Sequence, residues 1–350
     1  MNKHKKFKED IMKKLFVLVL AIVFCLAMVA CSAPAPSASS APASSAASVS
    51  PSPSASSSAP AAVKKKVAIS LPKADNAWQA ALLKSIQEAT KNDAEIEWTV
   101  KNAVDDADQT NILTTFKDGG YDLIACLPGD GKLQTSIMET IYDAKIPTII
   151  IDRNIESEKY TSFVAEDNST CGKLAADYIG KAFEGKTDVK LVVLRSYTGI
   201  PIDLARYNGF ADEIKKFSNI KIIGEGDGQF NQEAGFKAMS DILAAHDKID
   251  VVYTQDDEAA TGALTAITQQ NRKDITLITG MGGTVTALNE IKADNTIHKA
   301  TTSYFPRIGA QAVEVIREYF KNGKVEKNNV RESKLITKDN VDEFLPYAYQ

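Results

Sequence analysis

The stretch KVAISLPKADNAWQAALLKSIQEAT, Lys66 to Thr90, holds the unit from which the fold is read. Lys66 to Leu71 is a short, largely apolar run of strand length, and Ala77 to Thr90 places Leu82, Leu83 and Ile86 at helical spacing. Pro72, Asp75 and Asn76 punctuate the join. Moving outward, Ile96 to Asn102, Leu123 to Cys126 and Thr148 to Ile151 read as further strands, with helices over Ala107 to Asp118 and Leu133 to Ala144. The rhythm then restarts. After a helix over Ser169 to Phe183, strands are expected at Lys190 to Leu194, Lys221 to Ile223, Val251 to Thr254, Leu277 to Gly280 and His298 to Thr302. Helices alternate with them at Ile202 to Phe217, Gln232 to Ala245, Ala259 to Asn271 and Val285 to Asp294.

Buried strands alternating with helices imply parallel sheets joined by right-handed crossovers. About ten strands exceed one comfortable sheet. The expected architecture is therefore α/β, with two Rossmann-like doubly wound parallel-sheet domains and a central ligand cleft. Ligands of such sheets sit beyond the carboxyl ends of the strands, and the polar and aromatic residues gather there. Asn76, Trp78 and Gln79 follow the first strand and Asp152-Arg153 the fourth; Arg195 to Thr198 and then Arg206 follow the sixth, Phe230 the seventh and Asp256 the eighth. Carboxylates, guanidinium groups and amides beside aromatic faces suit a polyhydroxylated ligand, whose hydroxyls both donate and accept while its C–H faces pack on rings. Competing structural roles exist for single members: Arg206 could pair with Asp203 or Asp212 on its own helix, and Asp256 could cap a helix.

The 350 residues are not uniform. Lysines crowd the start, an uncharged run extends from Leu15 to Ala30, and Met28-Val29-Ala30-Cys31 closes it. That length suits a signal-peptide core better than a spanning helix. The small residues before the cysteine resemble a bacterial lipobox, which implies a signal peptide over residues 1–30, cleavage before Cys31 and acylation of its thiol. Met12, followed by two lysines, is an alternative start. Ser32 to Val63 contains only Ser, Ala, Pro and two Val. Such a segment cannot bury enough apolar surface to offset its ordering entropy, and it reads as a disordered tether.

Residues 1–30 carry six lysines and two carboxylates, so the net −4 of the whole chain becomes −8 without them. That acidity argues against nucleic acid as a partner. Cys126 and Cys171 remain beyond the lipobox and are expected to stay unpaired. Catalytic and metal constellations are not found: His246 and His298 fit no triad or metal spacing, and Gly224 to Gly228 lacks dinucleotide-loop spacing. Asp105-Asp106-Ala107-Asp108 reads as helix capping rather than a calcium loop. No cofactor, no metal and no enzymatic activity are expected.

At these residues the chain resembles bacterial periplasmic sugar-binding proteins of the ribose-binding type, the substrate-binding components of ABC importers. The resemblance runs through VAISLPKADNAW, YDLIACLPGD, IPTIIIDRN, AEDNSTCGKLAADYI, ARYNGF, VVYTQDDEAATGAL and PRIGAQAVEVI, in that order. It implies two lobes joined by a three-stranded hinge: residues 64–166 with 303–333, and residues 167–302 with 334–350. It also implies sugar contacts from Asn76, Trp78, Asp152, Arg153, Arg206 and Phe230. Asp256 stands where ribose binders carry Asn, Leu127 replaces an Asn, Gly282 an Asp and Ser303 a Gln. The expected ligand is therefore a monosaccharide or related polyol rather than ribose in particular. The expected role is that of a monomeric, membrane-anchored extracytoplasmic lipoprotein serving an ABC permease. The alternatives are a sensor presenting its sugar to a chemoreceptor or histidine kinase, and autoinducer binding.

Overall fold

The computed structural model describes residues 64–350; the leader, Met12, Cys31 and the tether lie outside the described residues. The first lobe runs β1 (Lys65–Leu71), α1 (Ala77–Thr90), β2 (Ile96–Asn102), α2 (Asp106–Asp118), β3 (Leu123–Cys126), α3 (Gly131–Asp143), β4 (Thr148–Ile151) and β5 (Ser162–Glu166). The second runs α4 (Asn168–Ala182), β6 (Val189–Arg195), α5 (Pro201–Ile214), β7 (Ile220–Asp227), α6 (Gln232–Ala245), β8 (Val251–Thr254), α7 (Asp257–Gln269), β9 (Leu277–Gly282), α8 (Val285–Ala293) and β10 (His298–Ser303). The chain ends with α9 (Ile308–Asn322), β11 (Asn328–Arg331), β12 (Leu335–Thr337) and α10 (Val341–Phe344).

Two six-stranded sheets result, ordered β11-β5-β4-β3-β1-β2 and β12-β10-β9-β8-β6-β7. The expected pair of doubly wound sheets is present. The chain passes from one sheet to the other after β5, after β10 and between β11 and β12. Three features differ from expectation. The strands β5, β11 and β12 had no counterpart in the sequence reading, and β12 runs antiparallel to β10. In addition β7, expected to end at Ile223, continues through Gly224 to Asp227. Gly226 lets this strand pass close under α6, since a Cβ there would stand 3.1 Å from the Ala238 Cβ.

Alternation along each strand shows why both faces are covered. In β1, β3 and β4, Val67, Ile69, Leu123, Ala125, Ile149 and Ile151 face a core closed by α1 and α9. The intervening Ala68, Ile124, Cys126 and Ile150 face α2 and α3 through Leu113, Phe116, Met138 and Ile141. A strand buried on both sides reads as a continuous apolar run. The second lobe repeats this, with Val192, Leu194 and Val252 against α6 and α7, and Leu191, Val193 and Tyr253 against α4 and α5. Tyr253 stacks on Phe210 with ring centroids 3.9 Å apart and ring planes 6° apart.

Most strand-to-helix turns carry a capping side chain. Asn76, Asp105, Asp130, Asp167, Asn231, Asp256 and Thr284 each accept from the first-turn N–H groups of the helix that follows. Helix α5 lacks such a cap and starts instead at Pro201. Its position is set by close approach to α4: a Cβ on Gly172 would lie 2.1 Å from the Arg206 carbonyl oxygen, and one on Gly209 would lie 2.3 Å from that of Ser169. Only glycine at both points lets α5 bring Arg206 to the cleft.

Candidate ligand-binding site

Between the carboxyl ends of the two sheets lies a cavity walled by residues of both lobes. Asn76, Trp78, Asp152 and Arg153 come from the first lobe; Ile202, Arg206, Phe230, Asp256, Glu258, Met281 and Gly282 come from the second. Tyr304, on the crossing after β10, and Tyr349, near the end of the chain, complete it. Measured by the centre of a water-sized sphere the volume is about 40 Å³, room for roughly three ordered waters. An outer chamber of about 210 Å³ adjoins it past Asp152, Arg153 and Ile202.

Asp152 sits on the turn that ends β4. Its φ of 65° is left-handed, and the Arg153 N–H donates across it to the Ile151 carbonyl at 2.7 Å. A non-glycine residue held this way stores of order 1–3 kcal/mol, which fixes where the carboxylate points. Asp152 is 4% exposed. Burial pushes its carboxyl above the usual range, opposed by Arg153, the Tyr304 hydroxyl and Arg206. Arg153 Nε lies 3.7 Å from Asp152 Oδ2, too long for a hydrogen bond, and has no partner there, while Nη1 donates to the Gly129 carbonyl at 3.0 Å.

Arg206 faces Asp152 across the cleft. Its Nε donates to Asn168 Oδ1 at 2.9 Å and its Nη1 to the Gln255 carbonyl at 2.8 Å. Neither Asp203 nor Asp212 pairs with it: Asp203 binds Arg195, and Asp212 binds Lys215. The guanidinium lies between two rings, 4.6 Å from the Tyr304 centroid and 5.6 Å from that of Phe230. Phe230, itself left-handed at φ 53°, also packs edge-on against Tyr197 at 5.7 Å.

Two expected site residues have a second duty. Asp256 Oδ1 caps α7 by accepting from the Glu258 and Ala259 N–H groups at 2.9 and 3.1 Å. Burial first, then the neighbouring Asp257 and Glu258 charges, push its carboxyl up to about 7. Asn76 Oδ1 accepts from the Gln79 N–H at 2.9 Å, so its amide NH₂ is the group left for a ligand. Gln79 itself does not line the cavity. Its Oε1 reaches back to the N–H of Asp75, the residue before the cap, at 3.2 Å.

Three positions where the sequence departs from the ribose-binding pattern have physical accounts. Gly282 adopts φ 136°, and a Cβ there would stand 2.6 Å from the Tyr349 hydroxyl; no aspartate fits. Leu127 is fully buried in the first-lobe core. Ser303 accepts from the Lys334 N–H at 2.9 Å, tying two crossings together. Cys171 donates to Ser333 Oγ beside them, and both Cys126 and Cys171 are free thiols. Asp257 is scaffold: it accepts from the Gly283 and Thr284 N–H groups and the Thr301 hydroxyl. The cavity residues that strand-end reasoning passed over are Ile202, Met281 and Tyr349; Glu258 belongs to the acidic run Gln255 to Glu258 that follows the eighth strand.

Two sheet lobes whose strand-end residues face each other across one cavity define a hinged solute-binding protein. The chain belongs, with sugar-binding proteins of the ribose-binding type, to the family described as periplasmic binding protein domain, whose model matches residues 67–324. Membership assigns the domain to the extracytoplasmic side of the membrane. Among curated relatives, the ribose import binding protein RbsB of Salmonella typhimurium is 29% identical over 221 residues, covering 63% of this chain and 72% of that one. The galactofuranose-binding protein YtfQ of Escherichia coli is 28% identical over 245 residues, covering 68% and 76%. A crystal structure of a galactofuranose binding protein superposes with a TM-score of 0.72 at 26% identity, covering 81% of this chain and 97% of that one. These relatives are solute-binding proteins, not enzymes.

Proposed function

We propose that this protein captures a monosaccharide or related polyol by closing its two lobes over it, and delivers it to an ABC importer without chemistry of its own. The observation that carries this reading is the meeting of Asn76, Trp78, Asp152 and Arg153 of one lobe with Arg206, Phe230 and Asp256 of the other in one cavity. Asp152, Arg153, Arg206 and Asp256 bind hydroxyls, while Trp78 and Phe230 supply apolar surface. Each charge-assisted hydrogen bond contributes about 1.5–3 kcal/mol net. Four of them, with ring packing, reach the roughly 8 kcal/mol of a micromolar complex after association costs. A ligand held by both lobes binds the closed arrangement more tightly than the open one, so it shifts that population and signals occupancy to the permease. The similarity to the ribose import binding protein RbsB supports the same assignment. A lipid on Cys31 and a tether over Ser32 to Val63 keep the receptor beside its permease; it works as a monomer, with no cofactor or metal.

Thermal melts against a panel of monosaccharides and sugar alcohols test the receptor role. A rise in Tm with one of them, lost in Asp152→Ala, is the expected result. No shift across the panel overturns the reading. Crosslinking on intact cells is expected to recover permease subunits; recovery of a chemoreceptor or histidine kinase instead replaces import with sensing. Cys31→Ser is expected to release the protein from the membrane fraction.

A further inference from the structure

Trp78, placed to pack on a sugar, packs instead on Tyr304, with ring centroids 5.7 Å apart. The other side of the Tyr304 ring meets the Arg206 guanidinium. Its hydroxyl donates to Asp152 Oδ1 and accepts from Asn168 Nδ2 at 3.2 Å. These are the contacts a ligand hydroxyl on a ring would make: carboxylate, amide, cation and aromatic face. Tyr304 is also fixed in place. Its N–H donates to the Gly282 carbonyl at 3.1 Å, its own carbonyl accepts from Trp78 Nε1 at 2.9 Å, and the side chain is 4% exposed. The buried Phe305 and then Pro306 follow directly, so the main chain has little freedom to carry the ring away.

We propose that Tyr304 is the specificity-determining residue of the cleft: it stands in for part of a ligand, and so makes the receptor favour short polyols over six-membered rings. The inference rests on the polyol-receptor reading above. With Tyr304 in place, Asp152 Oδ1 already accepts from a phenol, and the ring fills the side of the cavity between Trp78 and Arg206. The polar groups left there, Asp152 Oδ2, the unpartnered Arg153 Nε and the Asn76 amide, serve the hydroxyls of a short chain or small ring. A six-membered ring carrying five or six hydroxyls meets the phenol instead.

Calorimetry on the full-length protein decides this, with erythritol and ribitol set against galactose and myo-inositol. Wild type is expected to bind the better of the first pair at least about tenfold more tightly than the better of the second, the discrimination that a few atoms of pocket wall provide. Tyr304→Ala is expected to erase or reverse that ratio, while Tyr304→Phe, which keeps the ring, preserves the order. A wild type that prefers galactose or myo-inositol overturns the inference, and so does a folded Tyr304→Ala variant with an unchanged ratio. Should the alanine variant not fold, the wild-type ranking and the phenylalanine variant still decide it. A panel in which no polyol binds the wild type refutes the receptor reading and this inference together; binding without size preference refutes this inference alone.

Discussion

Arg195 and Arg206 lie on consecutive elements of the second lobe and are treated in opposite ways. Arg195 is saturated: Nε donates to Asp203 Oδ1 at 2.9 Å, Nη2 to Oδ2 at 2.5 Å and Nη1 to Glu225 at 3.3 Å, with the Tyr207 ring 4.1 Å away. Among the described residues Arg206 has no carboxylate within salt-bridge distance; an amide oxygen and a main-chain carbonyl hold it, with the Tyr304 and Phe230 rings close by. A bidentate buried pair fixes geometry and is spent on the scaffold. A buried guanidinium positioned by neutral groups keeps unsatisfied charge directed at the cleft. Within one lobe, then, partner charge separates the residue that builds the site from the one that uses it.

The largest way to break this contrast is at the saturated pair. Arg195→Ala leaves Asp203, which is fully buried, as an uncompensated charge, and is expected to cost about 3–5 kcal/mol in urea unfolding. Its effect on ligand affinity should be smaller than its effect on stability. Arg206→Ala is expected to show the reverse order. Calorimetry should report an affinity loss of about 1.5–3 kcal/mol, the worth of a charged hydrogen bond, with a milder fall in unfolding free energy than Arg195→Ala. Arg206→Lys should not restore binding, because a lysine cannot both stack flat between two rings and donate to two fixed acceptors. Equal stability losses for the two alanine variants would erase the distinction.

A smaller effect concerns pH. Asp256 is pushed up to about 7 by burial and by Asp257 and Glu258; Glu166, at the first crossing, is pushed up to about 8 by burial and by Asp152. For both, the fold favours the protonated form. Their stabilising contribution is fully present below the ordinary values of 3.8 and 4.5 and is lost as pH rises through about 7 and about 8. Asp93, lowered to about 2 as the hydrogen bonds from Arg317, Glu95, Trp98 and Ile96 outweigh its burial, acts oppositely and only below pH 3.8. Melting temperature of the ligand-free protein is therefore expected to fall from about pH 4 to pH 8. Asp256→Asn should flatten the part of that fall below pH 7; a profile unchanged by the substitution would refute the assignment.

Legibility in the sequence followed the strength of local signals. Helices α1 and α6 are found with the bounds expected from sequence, because Asn76 and Asn231 cap runs with plain apolar periodicity. Strand β11, Asn-Asn-Val-Arg, carries one apolar residue and sits at a sheet edge, while β12 has three residues; neither offers a pattern to read. In β7 the glycines that resemble a turn are a packing requirement under α6. Seven of the eight expected ligand contacts line the cavity, since strand ends in such sheets converge whatever their sequence. Gln79 was misplaced because a glutamine near a helix start serves capping and ligand contact equally well. Tyr304 stood out less in the sequence, because an aromatic residue before Phe and Pro reads as core until long-range folding sets Asp152 and Asn168 against its hydroxyl.

The crossings also have a consequence for biosynthesis. Strand β1 is made first, yet the core it faces is closed by Ile308, Ala312, Val313 and Ile316 of α9, and its sheet gains its last edge only with β11. The lobe begun first is finished late. A nascent or truncated chain that stops after β10 leaves Leu82, Ile86 and the β1 face without their cover. Such a product is a sticky half-lobe rather than a smaller receptor, so premature termination should lead to chaperone capture and proteolysis.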